Sequence, residues 1–108
     1  MADLSGYCVI LTTVSSEDDA DRISNDLITD KLAGCVQIQE IISRYSWNGV
    51  VHKEKEWLLL IKTRRSLYQD IKAYILQSHP YEVPELLMIP VEAGLESYLN
   101  WIHAQTEP

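Results

Sequence analysis

The segment His79-Pro80-Tyr81-Glu82-Val83-Pro84-Glu85 gathers one histidine and two glutamates within seven residues. A neutral imidazole at His79 and carboxylates at Glu82 and Glu85 are donors that borderline divalent cations accept, and the two prolines restrict the loop that carries them. One histidine is too few for a closed zinc site and the spacing fits no structural zinc motif, so further donors have to come from elsewhere in the chain or from a second copy. The competing reading is that His79 caps a helix while the prolines shape a turn. Cys35 is a further candidate ligand: as a thiolate it suits Cu(I), and as a thiol it is a small core hydrophobe. His52 and His103 have no partner pattern around them and read as surface residues.

A different chemistry is offered by Lys62-Thr63-Arg64-Arg65, the only basic cluster, placed where a strand is expected to run into a helix N-terminus. Such a junction favours anions. Lys62 and Arg64 would contact a nucleotide or small carboxylate in a cleft between subunits, with Trp47 or Tyr81 as a stacking face; the alternative is a solvated helix start. The chain has four glycines, none in a phosphate-cradling loop or a G-x-G-x-x-G setting. It also lacks a G-x-S-x-G elbow, and Thr12 to Asp19 is acidic where an arginine-bearing phosphate loop would follow the first strand. No catalytic residues are therefore assigned, and the chain is not expected to be an enzyme. Tyr45, Trp47 and Trp57 are amphipathic aromatics suited to subunit contacts.

The elements that must position these residues follow from periodicity. Tyr7 to Val14 is a β-branched apolar run and predicts a strand. Ser15 and Ser16 are N-cap candidates ahead of Glu17, Asp18 and Asp19, and Ala20, Ile23, Leu27, Ile28 and Leu32 recur at helical spacing up to Gly34, placed as the C′ glycine. Cys35 to Trp47 predicts a long strand with a bulge or bend near Glu40, and Asn48-Gly49 predicts a type I′ turn returning along Val50 to Thr63. Ser66 to Ser78 predicts a second helix stopped before Pro80, Pro84 to Val91 a fourth strand with its prolines at the ends or on an edge, and Leu95 to Ile102 a short last helix.

This order, β-α-β-β-α-β plus a helix, is the α+β, ferredoxin-like arrangement. Its two main helices share one sheet face, yet the runs 9–11, 58–61 and 86–89 are apolar on both faces. A homo-oligomer that buries sheet against sheet is the expected cover, with the Ile41 to Lys55 hairpin as the arm that reaches a neighbour.

Composition bounds the rest. The 108 residues suit a single domain spanning 1–108, with 1–6 and 104–108 expected as flexible termini. Asp and Glu outnumber Lys and Arg by 16 to 9, and the net charge of −7 argues against nucleic acid or an anionic membrane surface as partner. No run is long and apolar enough to span a bilayer, the start lacks a basic signal-peptide region, and two cysteines make no disulfide framework, so a cytoplasmic address is expected.

Ala33-Gly34-Cys35, Tyr45-Ser46-Trp47-Asn48-Gly49, Ile61-Lys62-Thr63, the His79 to Glu85 segment and Tyr98-Leu99-Asn100-Trp101 resemble, in order and from about Tyr7 to Ile102, the CutA divalent-cation-tolerance family. The resemblance implies a homotrimer similar in architecture to the PII signalling proteins, with edge strands pairing across subunits. It also implies a role in tolerance to, or binding of, divalent metals such as copper, with copper or zinc held weakly and no cofactor required. In some relatives the metal is attributed to a first-strand cysteine and a His-His pair before the proline. The matching positions here are Thr12 and Ser78-His79, so only His79 carries over. A PII-like regulator that binds a small anionic ligand or a partner protein between subunits is the rival function.

Overall fold

Strand β1 (Tyr7–Val14) hands over to helix α1 (Glu17–Thr29) at Ser16, whose hydroxyl oxygen accepts the Asp19 N–H at 3.1 Å. Three acidic residues in the first turn meet the positive end of the helix dipole. Next come strands β2 (Cys35–Trp47) and β3 (Val50–Arg64), a 3-10 turn over Arg65–Leu67, helix α2 (Tyr68–Ser78), strand β4 (Leu87–Pro90) and helix α3 (Glu96–Gln105). The computed structural model describes residues 6–108, so all but Gly6 of the stretch expected to be flexible at the start lies outside the described residues. The strands form one antiparallel sheet in the order β2-β3-β1-β4, the ferredoxin-like topology expected from the element order.

Several features differ from the sequence reading, each for a local reason. Helix α1 ends at Thr29 rather than near Gly34, because Lys31 takes the left-handed conformation (φ 58°) and the N–H groups of Leu32 and Ala33 turn back to the Leu27 carbonyl. Gly34 instead donates its N–H to the Lys62 carbonyl and lies against Ile102 of α3. Strand β2 has no bulge at Glu40: its register with β3 is one-to-one from Cys35↔Lys62 to Trp47↔Val50, and Ile42 is left 63% exposed instead of being turned inward. Strand β4 shrinks to four residues, with Pro90 closing an edge strand. The tail is held further along than expected: α3 runs to Gln105, and Thr106 is buried, its hydroxyl and carbonyl oxygens accepting from Arg64 at 2.8 and 2.9 Å. The hairpin turn is as read, with Asn48 at φ 52° and Gly49 at φ 78°, both in the region a type I′ turn requires.

The core lies between one sheet face and the α1/α2 layer. Cys8, Ile10 and Val14 of β1 and Leu59 and Ile61 of β3 meet Ala20, Ile23 and Leu27 of α1 and Ile71 and Ile75 of α2, all essentially without exposure. Tyr74 donates to Asp26 at 2.6 Å and Arg22 to the Ser78 carbonyl at 2.9 Å, tying the two helices together.

Register places Val9, Leu11, Leu58, Leu60, Leu87 and Ile89 on the other face. Helix α3 covers only one end of it, through Tyr7, Leu99 and Ile102 and with the Lys62 ammonium over the Tyr98 ring. The rest stays open, Leu87 and Ile89 being half-exposed. Pairing of β1 with β3 ends at Val14↔Trp57, so residues 50–56 pair with β2 alone and the hairpin projects as an arm.

Candidate functional site

The register set by the Asn48-Gly49 turn puts Tyr45 opposite His52, Ser43 opposite Glu54 and Ile41 opposite Glu56, all on the sheet face away from α1 and α2. The Tyr45 and His52 rings stack at 5.4 Å. At the base of this arm the chain leaving α2 crosses from the helix layer to the open face, and His79 pins the crossing. It is the C-cap residue of α2, with its N–H on the Ile75 carbonyl. Its Nε2–H donates to the Thr13 carbonyl at 2.7 Å, and its Nδ1 accepts the Tyr81 N–H at 3.1 Å. Those two bonds require the neutral ring. Burial accordingly holds its pKa below the ordinary value, against the upward pull of the Thr13 carbonyl.

Held there, Tyr81 donates its hydroxyl to Glu56 Oε2 at 2.7 Å. Glu56 is 6% exposed, an unusual burial for a carboxylate. Between the arm and the 81–85 segment lies an open cleft of about 700 Å³. Glu54, Glu56, Glu82 and Glu85 line it with Arg44 as the single permanent cation, alongside Tyr45, Trp47, His52 and Tyr81. The Glu85 carboxyl is pushed above its ordinary value, first by burial and then by the charge of Glu56, as expected where like charges gather. The cleft is built to attract cations and repel anions.

The residues singled out in the sequence are thus divided. Glu82, Glu85, Tyr81 and Trp47 line the cleft. His79 sits behind it with both ring nitrogens engaged. Cys35 pairs with Lys62 at the far end of the sheet, about 20 Å along β3 from Glu56 at the usual rise per residue. Lys62 lies over Tyr98 and Arg64 clamps Thr106, so neither reaches the cleft with Trp47 and Tyr81, and the anion-site grouping is not assembled within the chain. Of the three aromatics expected at subunit contacts, Tyr45 and Trp47 are exposed on the arm, whereas Trp57 packs onto the helix-side core with Lys55 over its ring. Among the described residues, no three His, Cys, Asp or Glu side chains converge closely enough to hold one metal ion. Both cysteines are free, and burial pushes the Cys8 thiol up to about 11.

Sequence reasoning missed Glu54, Glu56 and His52. Their signal was present in the hairpin: once Asn48-Gly49 fixes the register, residues 52, 54 and 56 share a face with 45, 43 and 41. No helix among the described residues is long and apolar enough to cross a membrane.

Comparison with known proteins places this geometry. Residues 8–105 match the family of CutA1 divalent ion tolerance proteins. The divalent-cation tolerance protein CutA of Thermus thermophilus is 38% identical over 99 residues, covering 91% of this chain and 96% of that protein. The chloroplastic protein CutA of Arabidopsis thaliana is 36% identical over 99 residues; the match covers 91% of this chain but 54% of the Arabidopsis protein, so the chain spans about half that relative's length. The structure of the periplasmic divalent cation tolerance protein CutA from Archaeoglobus fulgidus superposes with a TM-score of 0.92 at 33% identity, covering 94% of this chain and 99% of that one. By sequence along nearly its whole described length and by fold, the chain belongs to the CutA1 divalent ion tolerance family.

Proposed function

We propose that the chain serves divalent-cation tolerance as a non-enzymatic homotrimer that binds divalent ions, copper or zinc, weakly at its acidic cleft. The observation that carries this reading is the convergence of four glutamates and one arginine on a single cleft. A divalent ion there is held by the charge of the gathered carboxylates, and the exposed Glu82 and Glu85 are its first ligands. Because no three donors converge within the described residues, a neighbouring copy completes the coordination sphere. His79 supports the site from behind by fixing the segment that carries both glutamates, and Cys35 stays outside it. The open apolar face supports assembly, and a role without catalysis is consistent with a His79 ring already committed to two hydrogen bonds. The cytoplasmic address rests on the two free cysteines and is part of the proposal.

Calorimetric titration of Cu(II) and Zn(II) into the metal-free chain tests this. Wild type is expected to bind saturably, and a Glu82→Gln/Glu85→Gln variant to lose about tenfold or more in affinity. Absence of saturable binding to wild type overturns metal binding, and binding intact in the double variant moves the ion away from the cleft.

A further inference from the structure

The arm that forms one wall of the cleft is held by its own turn. Beyond the Val14↔Trp57 pair, residues 41–47 and 50–56 pair with one another and with no other described strand. A two-stranded ribbon is marginal by itself, so its register rests on the turn at its tip. That turn is Asn48-Gly49. Both residues are exposed, both have positive φ, and nothing lies within 4 Å of where a Gly49 Cβ would stand.

The same two residues can react with each other. In a two-residue turn the cross-strand bonds belong to the flanking residues, here Trp47 and Val50, which leaves the Gly49 N–H to water. Its nitrogen can close a ring on the Asn48 side-chain carbonyl carbon, and glycine sets no Cβ in the way. The other two asparagines lack this setting: Asn25 and Asn100 lie inside α1 and α3 and are followed by Asp26 and Trp101. We propose that Asn48 is a modification site at which the chain deamidates itself, and that the isoaspartate formed there undoes the register of the arm. The Gly49 nitrogen gives up its proton and bonds to Asn48 Cγ, the side-chain amide leaves as ammonia, and a cyclic imide remains. Water then adds to the imide. Opening at Cγ leaves aspartate, whereas opening at the main-chain carbonyl leaves isoaspartate, with Cβ and Cγ now part of the backbone. One water is consumed, one ammonia is released, and nothing is oxidised or reduced. Aspartate keeps the turn, since Asp-Gly suits type I′ as Asn-Gly does. Isoaspartate lengthens the loop by one backbone carbon, so the one-to-one pairing from Trp47↔Val50 has to open or slip. A slip moves Tyr45, His52 and Glu54 off the face that lines the cleft.

The test is prolonged incubation of the folded wild-type chain in mildly alkaline buffer, with a synthetic peptide of residues 45–53 incubated beside it. Trypsin releases the same residues from the protein, between Arg44 and Lys53, and mass spectrometry against an unincubated control reads each asparagine. Asn48 is expected to lose its amide at least about tenfold faster than Asn25 and Asn100, which must first open a helix. Isoaspartate is expected among its products, detected by isoaspartyl methyltransferase labelling. If Asn48 is as intact as Asn25 and Asn100 when half the peptide has converted, the modification site is overturned. The structural consequence is read by hydrogen exchange on the isoaspartyl chain, isolated by ion exchange, beside an Asn48→Asp chain of equal charge and ordinary backbone. Arm amides are expected to exchange about tenfold or more faster in the isoaspartyl chain alone. Equal protection in the two chains overturns the loss of register.

Discussion

His79 donates through Nε2 to Thr13 and accepts at Nδ1 from Tyr81, so a proton added at Nδ1 opposes the Tyr81 N–H and loosens the segment that carries Glu82 and Glu85. The consequence has a definite sign. Because the folded ring titrates below its ordinary value of 6.5, the unfolded chain takes up the proton first. The stability that depends on the neutral ring is complete above the ordinary value and is lost as pH falls from there through the folded value. Urea midpoints are therefore expected to fall between pH ~7.5 and ~5.5, and His79→Gln to start lower and flatten that slope. A slope unchanged in the variant would remove His79 from the explanation. Glu85 acts in the opposite sense, since its raised carboxyl binds a proton more readily in the folded state and so gains stability as pH falls through the carboxylate range.

At the scale of elements, two glycines show different physics. Gly49 sits at φ 78° with open space around it, so a side chain there meets only backbone strain. Gly34 has an ordinary φ, but a Cβ on it would come within 3.1 Å of the Ile102 Cα and 3.2 Å of two of its side-chain carbons. The junction of β2 with α3 is closed by that contact. Gly34→Ala is expected to cost about 1–3 kcal/mol in denaturant unfolding, and to cost less in an Ile102→Ala background, where the side-chain part of the clash is gone. Gly49→Ala is expected to cost about 1 kcal/mol in either background. Equal behaviour of the two glycines with and without Ile102 would refute the close-approach account.

For the whole molecule the open sheet face dominates. Val9, Leu11, Leu58 and Leu60 lie on it between the half-exposed Leu87 and Ile89 and the polar Gln37 and Gln39 of β2, and α3 shields only the Tyr7 end. An apolar surface of that kind is the ground on which assembly is expected. Light scattering is expected to give a multiple of the 12.4 kDa chain mass, three by the family's architecture, and Leu60→Lys at the centre of the face is expected to return it to one while near-ultraviolet circular dichroism keeps its folded signal. A wild-type mass equal to one chain would refute assembly through this face.

The sequence by itself determined what local chemistry controls. The Ser16 cap, the Asn48-Gly49 turn and the strand and helix periodicities each act within a few residues, so element order, the ferredoxin-like topology and the apolar second face were legible without coordinates. The family likeness was legible too, because its motifs are short and ordered along the chain. The end of α1 was not, since Lys31 is an uncommon residue for a left-handed position and Gly34 looked the natural stop. The candidate site escaped for a deeper reason. Glu56 lies among Lys53, Glu54 and Lys55 and reads as solvated, yet it is buried and takes a hydrogen bond from Tyr81, 25 residues away and brought round by the His79 bonds. Lys62 and Arg64 looked free for an anion until α3 folded back over the end of the sheet. Propensity and periodicity report which face a residue takes; which distant segment closes over that face is decided by packing between elements, and here that packing turned scattered glutamates into one acidic cleft.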